Sequence, residues 1–476
     1  MKRRTVLASA VAAGAAVAVP LSASAAAAVP LASNDPRLVH RMRPPNASRV
    51  AIAVARPTAQ DERLRLHRFL SSTDLQPTGQ YLPANTPVTA TLVGAEGVVL
   101  VVGAPATHPD AAYATPREYP LVKGANTVTD PGGGMLYLAF SGGANETARQ
   151  AWDRVGPAAG ADGSQPAGDR EKAVVHFGRS TVLAPWFQLG RTTEEEFQAQ
   201  LDERDGSPQV ELLSPYAFVT VTRESLLRFR SEDHGTLLDL LEAIITSHAD
   251  ISGLDGSGPL HERGPVPFHL VESPRMPTGA GAYASHGFTA YPAGYMDRLL
   301  AVGGLHDRGW GVWHELGHQH QQLCYRPVDF NEVTVNIYSL AAQRRFGLTS
   351  NLVKSDAAGK TLYDTAFAKM ADPATVFPAA YSVMERLVMM RQFELAFGAD
   401  FWPRLHRLAR VENPQTNWDD AVTRLRYLMV YASRVGGRDL RGFFTTWRLP
   451  IDAETHAILD DLALPVPDTD LAALRE

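Results

Sequence analysis

Cysteine is almost missing: Cys324 is the only one in 476 residues. No intramolecular disulfide can form, and a metal site built on several thiolates is excluded. Cys324 itself reads as a small buried hydrophobe. Basic clusters are missing too. Acidic residues outnumber basic ones, 51 to 45, and the net charge is −6. No run of Lys or Arg follows the first few residues. Nucleic acid and anionic membranes are therefore not expected as partners. No internal repeat is present. What remains is ordinary globular usage, 45% hydrophobic and 20% charged. The length suits roughly two to four domains and a sizeable core.

The first residues read as a leader. Met1–Arg4 is basic, Thr5–Leu21 is uncharged and mainly Ala and Val, and Ala23-Ser24-Ala25 is a small-residue cleavage site. This pattern predicts a signal peptide over 1–25 and a secreted, extracellular protein. Arg3-Arg4 before Thr5-Val6-Leu7 resembles a twin-arginine signal, although Lys2 and Val6 depart from that pattern. The alternative is an ordinary secretory leader that carries two arginines. The apolar run is too short and too rich in Ala for a membrane span. No stable membrane association is expected, and a monomer is.

Residues 26–45, rich in Ala, Pro and Ser, read as a linker. From 46 to 190 strand signals prevail. Val88–Val93 and Gly97–Val102 are β-branched runs with a Gly-containing turn between them, and Gly132-Gly133-Gly134 leads into Met135–Phe140. Short strands at this spacing predict a β-sandwich-like N-terminal domain. Residues 157–170 read as a loop. A second domain is predicted over 191–350. It has a helix over Ser225–His248, from the spacing of Leu226, Leu227, Leu237, Leu241 and Ile244, and strands and loops over 265–295. The region 351–476 reads as helical, with helices at Ala380–Phe397, Phe401–Val411, Trp418–Val435 and Leu440–Trp447. The expected fold class is α+β.

His314-Glu315-Leu316-Gly317-His318 is H-E-x-x-H. On a helix the two histidines share one face and can bind one Zn²⁺, with Glu315 beside a zinc-bound water as its base. Bound zinc lowers the pKa of that water to about 7. Trp310, Val312, Trp313, Leu316 and Gly317 give the segment an apolar back. A catalytic zinc needs a third protein ligand and one open position. Glu332 opens a second predicted helix after a turn at Arg326-Pro327-Val328-Asp329, and it is the expected third ligand. Its other reading is an acidic residue in a first helical turn. Asn336, one helical turn beyond Glu332, either orients one of the histidines or faces solvent. His320 points off the ligand face, into the surroundings of the site or the surface.

The stretch Gly309–Gln321, followed by Asn331–Leu340, resembles the enhancin-like zinc peptidases, metallopeptidase family sixty, whose pattern is H-E-x-x-H, a variable gap, then Glu. Pro77–Ala84 and Tyr291-Pro292-Ala293-Gly294-Tyr295 extend the likeness upstream. The resemblance implies a gluzincin-type catalytic domain behind a β-sandwich. It also implies glycoprotein substrates, often mucin-like, cut next to O-glycosylated Ser or Thr. On that view Tyr291, Tyr295, Trp310 and Tyr325 could stack on sugar rings or could be core and rim residues. Tyr325, Tyr338 and Tyr381 are candidate donors to the oxyanion. Two other classes stay open: a catalytically silent glycoprotein- or carbohydrate-binding protein, and a zinc amidohydrolase acting on a small substrate. A pure binder has no use for the base Glu315.

Overall fold

The computed structural model describes residues 49–141 and 171–476. The predicted leader 1–25, linker 26–45 and loop 157–170 lie outside the described residues. The fold is α+β. Among the described residues three sheets are stacked face to face, and helices cover the third.

The first sheet has four antiparallel strands in the order Val50–Val54, Lys172–Phe177, Pro87–Gly94, Gly124–Thr129. The second has five, in the order Arg117–Pro120, Val98–Val102, Gly134–Phe140, Gln76–Leu82, Val182–Leu183. In Pro87–Gly94 the residues Val88, Ala90 and Leu92 point inward in alternation. They meet Leu82, Val98, Leu100, Leu136 and Leu138 of the second sheet in one core. This is a sandwich. The two β-branched runs do not pair with each other, because the turn between them carries the chain from one sheet to the other. Gly94 and Gly97 make that crossing at φ 94° and 84°, a region side chains disfavour.

The other face of the second sheet is also covered. Val101, Met135 and Tyr137 pack against Leu213, Phe218, Val271, Tyr283 and Ala290 of the third sheet. Gly134–Phe140 is thus buried on both faces, which explains an apolar run in place of an alternating one. The third sheet is mixed and six-stranded, in the order Trp186–Gln188, Gln209–Leu213, Ala217–Thr222, Phe268–Glu272, Phe288–Tyr291, Tyr283–Ser285. It begins at Trp186, ahead of the boundary expected at 190.

Helices His234–Ile251 and Trp310–His318 pack on the far face of this sheet. The single helix expected over Ser225–His248 is broken. Arg223–Arg228 stops, and the Asp233 side chain, accepting from Thr236 N at 2.8 Å, starts a second helix. The C-terminal helices Val383–Phe397, Phe401–Glu412 and Ala421–Gly436 lie close to their expected bounds. Leu362–Ala371 and Ala453–Leu462 were not expected as separate helices. The C-terminal helices share one core with Val333, Ile337, Tyr338 and Leu340. They form the wall behind the segment that carries Glu332. Cys324 is fully buried in the same core. Among the described residues, no helix is long and apolar enough to cross a membrane.

Candidate active site

The H-E-x-x-H segment is a helix, Trp310–His318, buried from Gly311 onward. Val312, Trp313 and Leu316 anchor it in the core under the third sheet. Two glycines let its neighbours approach. A Cβ on Gly311 would lie 1.8 Å from the Tyr295 hydroxyl, and one on Gly317 would lie 3.0 Å from Tyr338 Cβ and Val335 Cγ2. Gly317 thereby admits the second segment. That segment is two short helices, Asn331–Thr334 and Asn336–Arg345, instead of one, and it follows a 3₁₀ turn at Val328–Phe330.

This packing brings together ligand atoms of His314, His318 and Glu332, all within 4.8 Å of one another. Glu332 Oε2 lies 3.0 Å from His314 Nε2 and 3.5 Å from His318 Nε2. The other nitrogen of each imidazole is held by an amide. His314 Nδ1–H donates to Asn336 Oδ1 at 2.8 Å, while Asn336 Nδ2 donates to the Glu332 carbonyl at 2.7 Å. His318 Nδ1–H donates to Gln321 Oε1 at 2.7 Å. Gln321 Nε2 donates to the Asn331 carbonyl at 2.7 Å and to Thr334 Oγ1 at 2.8 Å. With Nδ1–H committed to these amides, Nε2 is the atom each ring turns toward Glu332, and it is the nitrogen whose lone pair would bind a cation. Two neutral imidazoles and one carboxylate, each oriented from behind, are a donor set that suits zinc.

The electrostatics agree with a cation site. Burial opposes the charged form of His314, but the Glu332 hydrogen bond and the charges of Glu315 and Glu332 outweigh it, and its pKa rises to about 9. Burial would raise the Glu332 carboxyl, yet the two imidazoles hold it well below the ordinary carboxylate range. Glu315 is 0% exposed, and among the described residues neither of its carboxylate oxygens has a hydrogen-bond partner. Burial pushes its carboxyl upward, although the two histidines pull the other way. A buried carboxylate left unsatisfied is costly and marks a place kept for chemistry.

The remaining expected residues fall apart into groups. Tyr291 and Tyr325 are 0% and 1% exposed, so neither offers a ring face to a sugar; both expectations are corrected. Tyr325 and Tyr338 hydroxyls meet at His406 Nε2, inside the core, and so are not oxyanion donors. Tyr381 is buried, and among the described residues its hydroxyl has no hydrogen-bond partner. Tyr295 and Trp310 are half-buried. The Arg298 guanidinium lies 4.6 Å from the Tyr295 ring, and Tyr291 stacks on that ring at 5.8 Å. His320 is buried against Ser252 and Arg68, not at the surface.

Gln321 and Asn331 were missed by sequence reasoning. The available signal was position: Gln321 follows His318 by three residues, and Asn331 adjoins Glu332. Asn336→Ala and Gln321→Ala are each expected to weaken zinc binding by roughly 10–100-fold, as removal of an outer partner does. Competition against a chelating dye measures this. Unchanged affinity would assign these amides to packing alone.

The sequence matches the family model for peptidase M60, enhancin and enhancin-like, over residues 180–448. It matches the N-terminal domain of M60-like peptidases over 57–151. TRPM8 channel-associated factor 3 of Rattus norvegicus is 25% identical over 297 residues, which are 59% of this chain and 29% of the relative. The chain therefore spans under a third of that curated relative's length. A crystal structure of a functionally unknown conserved protein from Bacillus anthracis str. Ames superposes with TM-score 0.75 and 26% identity, over 90% of this chain and 81% of that one. The M60 catalytic domain from Clostridium perfringens ZmpC, in complex with the sialyl T antigen, does so with TM-score 0.68 and 17% identity, over 89% and 81%. This last likeness is one of fold. Because the first family model spans more than half of the sequence, the chain belongs to the peptidase M60, enhancin and enhancin-like family.

Proposed function

We propose that this chain is a secreted, zinc-dependent endopeptidase that cuts glycoproteins, mucin-like ones among them, next to an O-glycosylated Ser or Thr. One observation carries the reading: a three-ligand cluster stands beside a buried carboxylate that accepts no hydrogen bond from any described residue. His314, His318 and Glu332 would hold the metal, and Glu315 is the base. A bound zinc ion supplies a Lewis acid that polarises the scissile carbonyl and acidifies water. The proton work falls to Glu315. Its carboxylate takes a proton from the attacking water and passes it to the leaving amine nitrogen. A carboxyl raised by burial holds that proton more readily between the two transfers. Asn336 and Gln321 keep both imidazoles in the tautomer that binds a cation.

The sugar is the less local part of the proposal. Its support is the glycan bound to the C. perfringens domain of like fold, together with the exposed parts of Trp310 and Tyr295. Binding the sugar would use contacts remote from the scissile bond to place the carbonyl. The test is one peptide with and without an O-linked N-acetylgalactosamine, read by mass spectrometry. Cleavage should favour the glycopeptide by roughly 10²-fold, since bare peptide leaves polar groups of the site unpaired. Equal cleavage of both would leave a general zinc endopeptidase. The enzyme should be recovered from culture medium, beginning at Ala26 if the leader is removed as read.

A second reading is a silent binding protein, favoured by the likeness to a channel-associated factor. A zinc-loaded chain that binds the glycopeptide without cutting it would establish that reading.

A further inference from the structure

Arg326 lies beside the ligand cluster, and no step above uses it. It is 1% exposed. Its guanidinium sits 3.8 Å from the centroid of Phe69 and 4.8 Å from that of Trp418, two rings stacked 4.9 Å apart. Its carbonyl accepts from Arg424 Nη1 at 2.8 Å. Segments far apart in the sequence thus clamp a buried cation. Glu332 is the carboxylate whose charge it feels.

We infer that Arg326 is a positioning residue, which sets the direction of the two amides that hold Glu332 and His318. The inference rests on the zinc peptidase reading. A guanidinium has donors and no acceptor, so any amide facing it must turn its oxygen that way. Arg326 Nη1–H donates to Asn331 Oδ1 and lies 3.5 Å from Gln321 Oε1, a charge–dipole contact at the limit of a hydrogen bond.

Two consequences follow. Asn331 Nδ2 is left facing Glu332 and donates to Oε1, so Oε2 is the oxygen turned to the imidazoles. Gln321 Oε1 is held where His318 Nδ1–H can donate to it, which keeps the lone pair of that imidazole on Nε2. One cation thereby orients a carboxylate ligand and an imidazole ligand, each through one amide. Asn336 serves His314 independently. Among the described residues, Nε and Nη2 of Arg326 have no hydrogen-bond partner. Among them the side chain gives its hydrogen bonds to these amides alone.

The test is zinc affinity, by competition with a chelating dye, and the visible absorption of the Co²⁺-loaded full chain, whose bands report ligand geometry. Arg326→Gln offers an acceptor as well as a donor, so both amides can reverse. Zinc affinity should fall by roughly 10–100-fold and the cobalt bands should shift. Arg326→Lys keeps a donor-only cation and should recover most of that loss. Asn331→Asp keeps the contact with Arg326 but turns an anionic oxygen on Glu332. It should lose affinity to a similar degree, and it carries the test if Arg326→Gln does not fold. Wild-type affinity and unchanged bands in folded Arg326→Gln would overturn the inference, as would an Arg326→Lys no better than Arg326→Gln, or an unaffected Asn331→Asp. A wild-type chain that takes up no zinc would overturn the peptidase reading and this inference together.

Discussion

On the proposed peptidase reading, Glu315→Gln should keep zinc and lose turnover by about 10⁴-fold, the upper end of what one placed acid–base group contributes. Glutamine has the size of glutamate and cannot accept the proton. Glu315 is not among the clustered ligands, so its loss leaves the metal in place. The same change should raise the melting temperature. A fully buried carboxylate without hydrogen-bond partners is exchanged for a neutral amide, which costs less to keep from water. Zinc content by elemental analysis, kcat/KM on the glycopeptide and a thermal melt give the three readings. Retained turnover would mean that the base is another group.

Glu332→Ala should lose both metal and activity. Glu332 faces both imidazoles and would supply the negative charge of the proposed ligand set. Removing a direct ligand should weaken zinc by more than the roughly 10–100-fold expected for an outer partner. A second signature appears in the metal-free protein. His314 should titrate near pH 9 in the wild type, where Glu332 favours its charged form against burial. In Glu332→Ala that support is gone and the titration should move to lower pH, as proton NMR of the ring would show. If Glu332→Ala bound zinc like the wild type, the third ligand would lie elsewhere.

The sequence displays His314, Glu315 and His318 because a helix turns spacing into a shared face, and a four-residue interval says which groups meet. Glu332 and Asn336 follow the same rule on the second segment. Gln321 and Asn331 are signalled only by standing near His318 and Glu332, and Arg326 obeys no such rule. Arg326 matters through Phe69 and Trp418, and only the fold makes these three neighbours. The aromatics failed for a related reason. Composition states that a ring can stack on a sugar, but not whether another ring, a helix or a sheet already covers it. Tyr291 and Tyr325 are covered; Trp310 and Tyr295 are partly open. The sandwich was legible as strands, since alternation marks one buried face. The placing of Val88–Val93 and Val98–Val102 in different sheets was not, because alternation does not identify a strand's partner.

The stacked sheets also impose an order in time. Every described strand of the sandwich lies between Val50 and Leu183, whereas the motif histidines come at 314 and 318. Chains are made from the N-terminus at about 5–20 residues per second, and domains tend to fold as they emerge. The sandwich can therefore be whole before the motif helix exists. During that interval the face bearing Val101, Met135 and Tyr137 is bare. Leu213, Phe218 and Val271 then arrive at a finished apolar surface, and the third sheet is laid down on it as on a template. The interval closes when Ala290 is in place. Until then that apolar face stays uncovered, and any delay in synthesis between Leu183 and Ala290 prolongs its exposure.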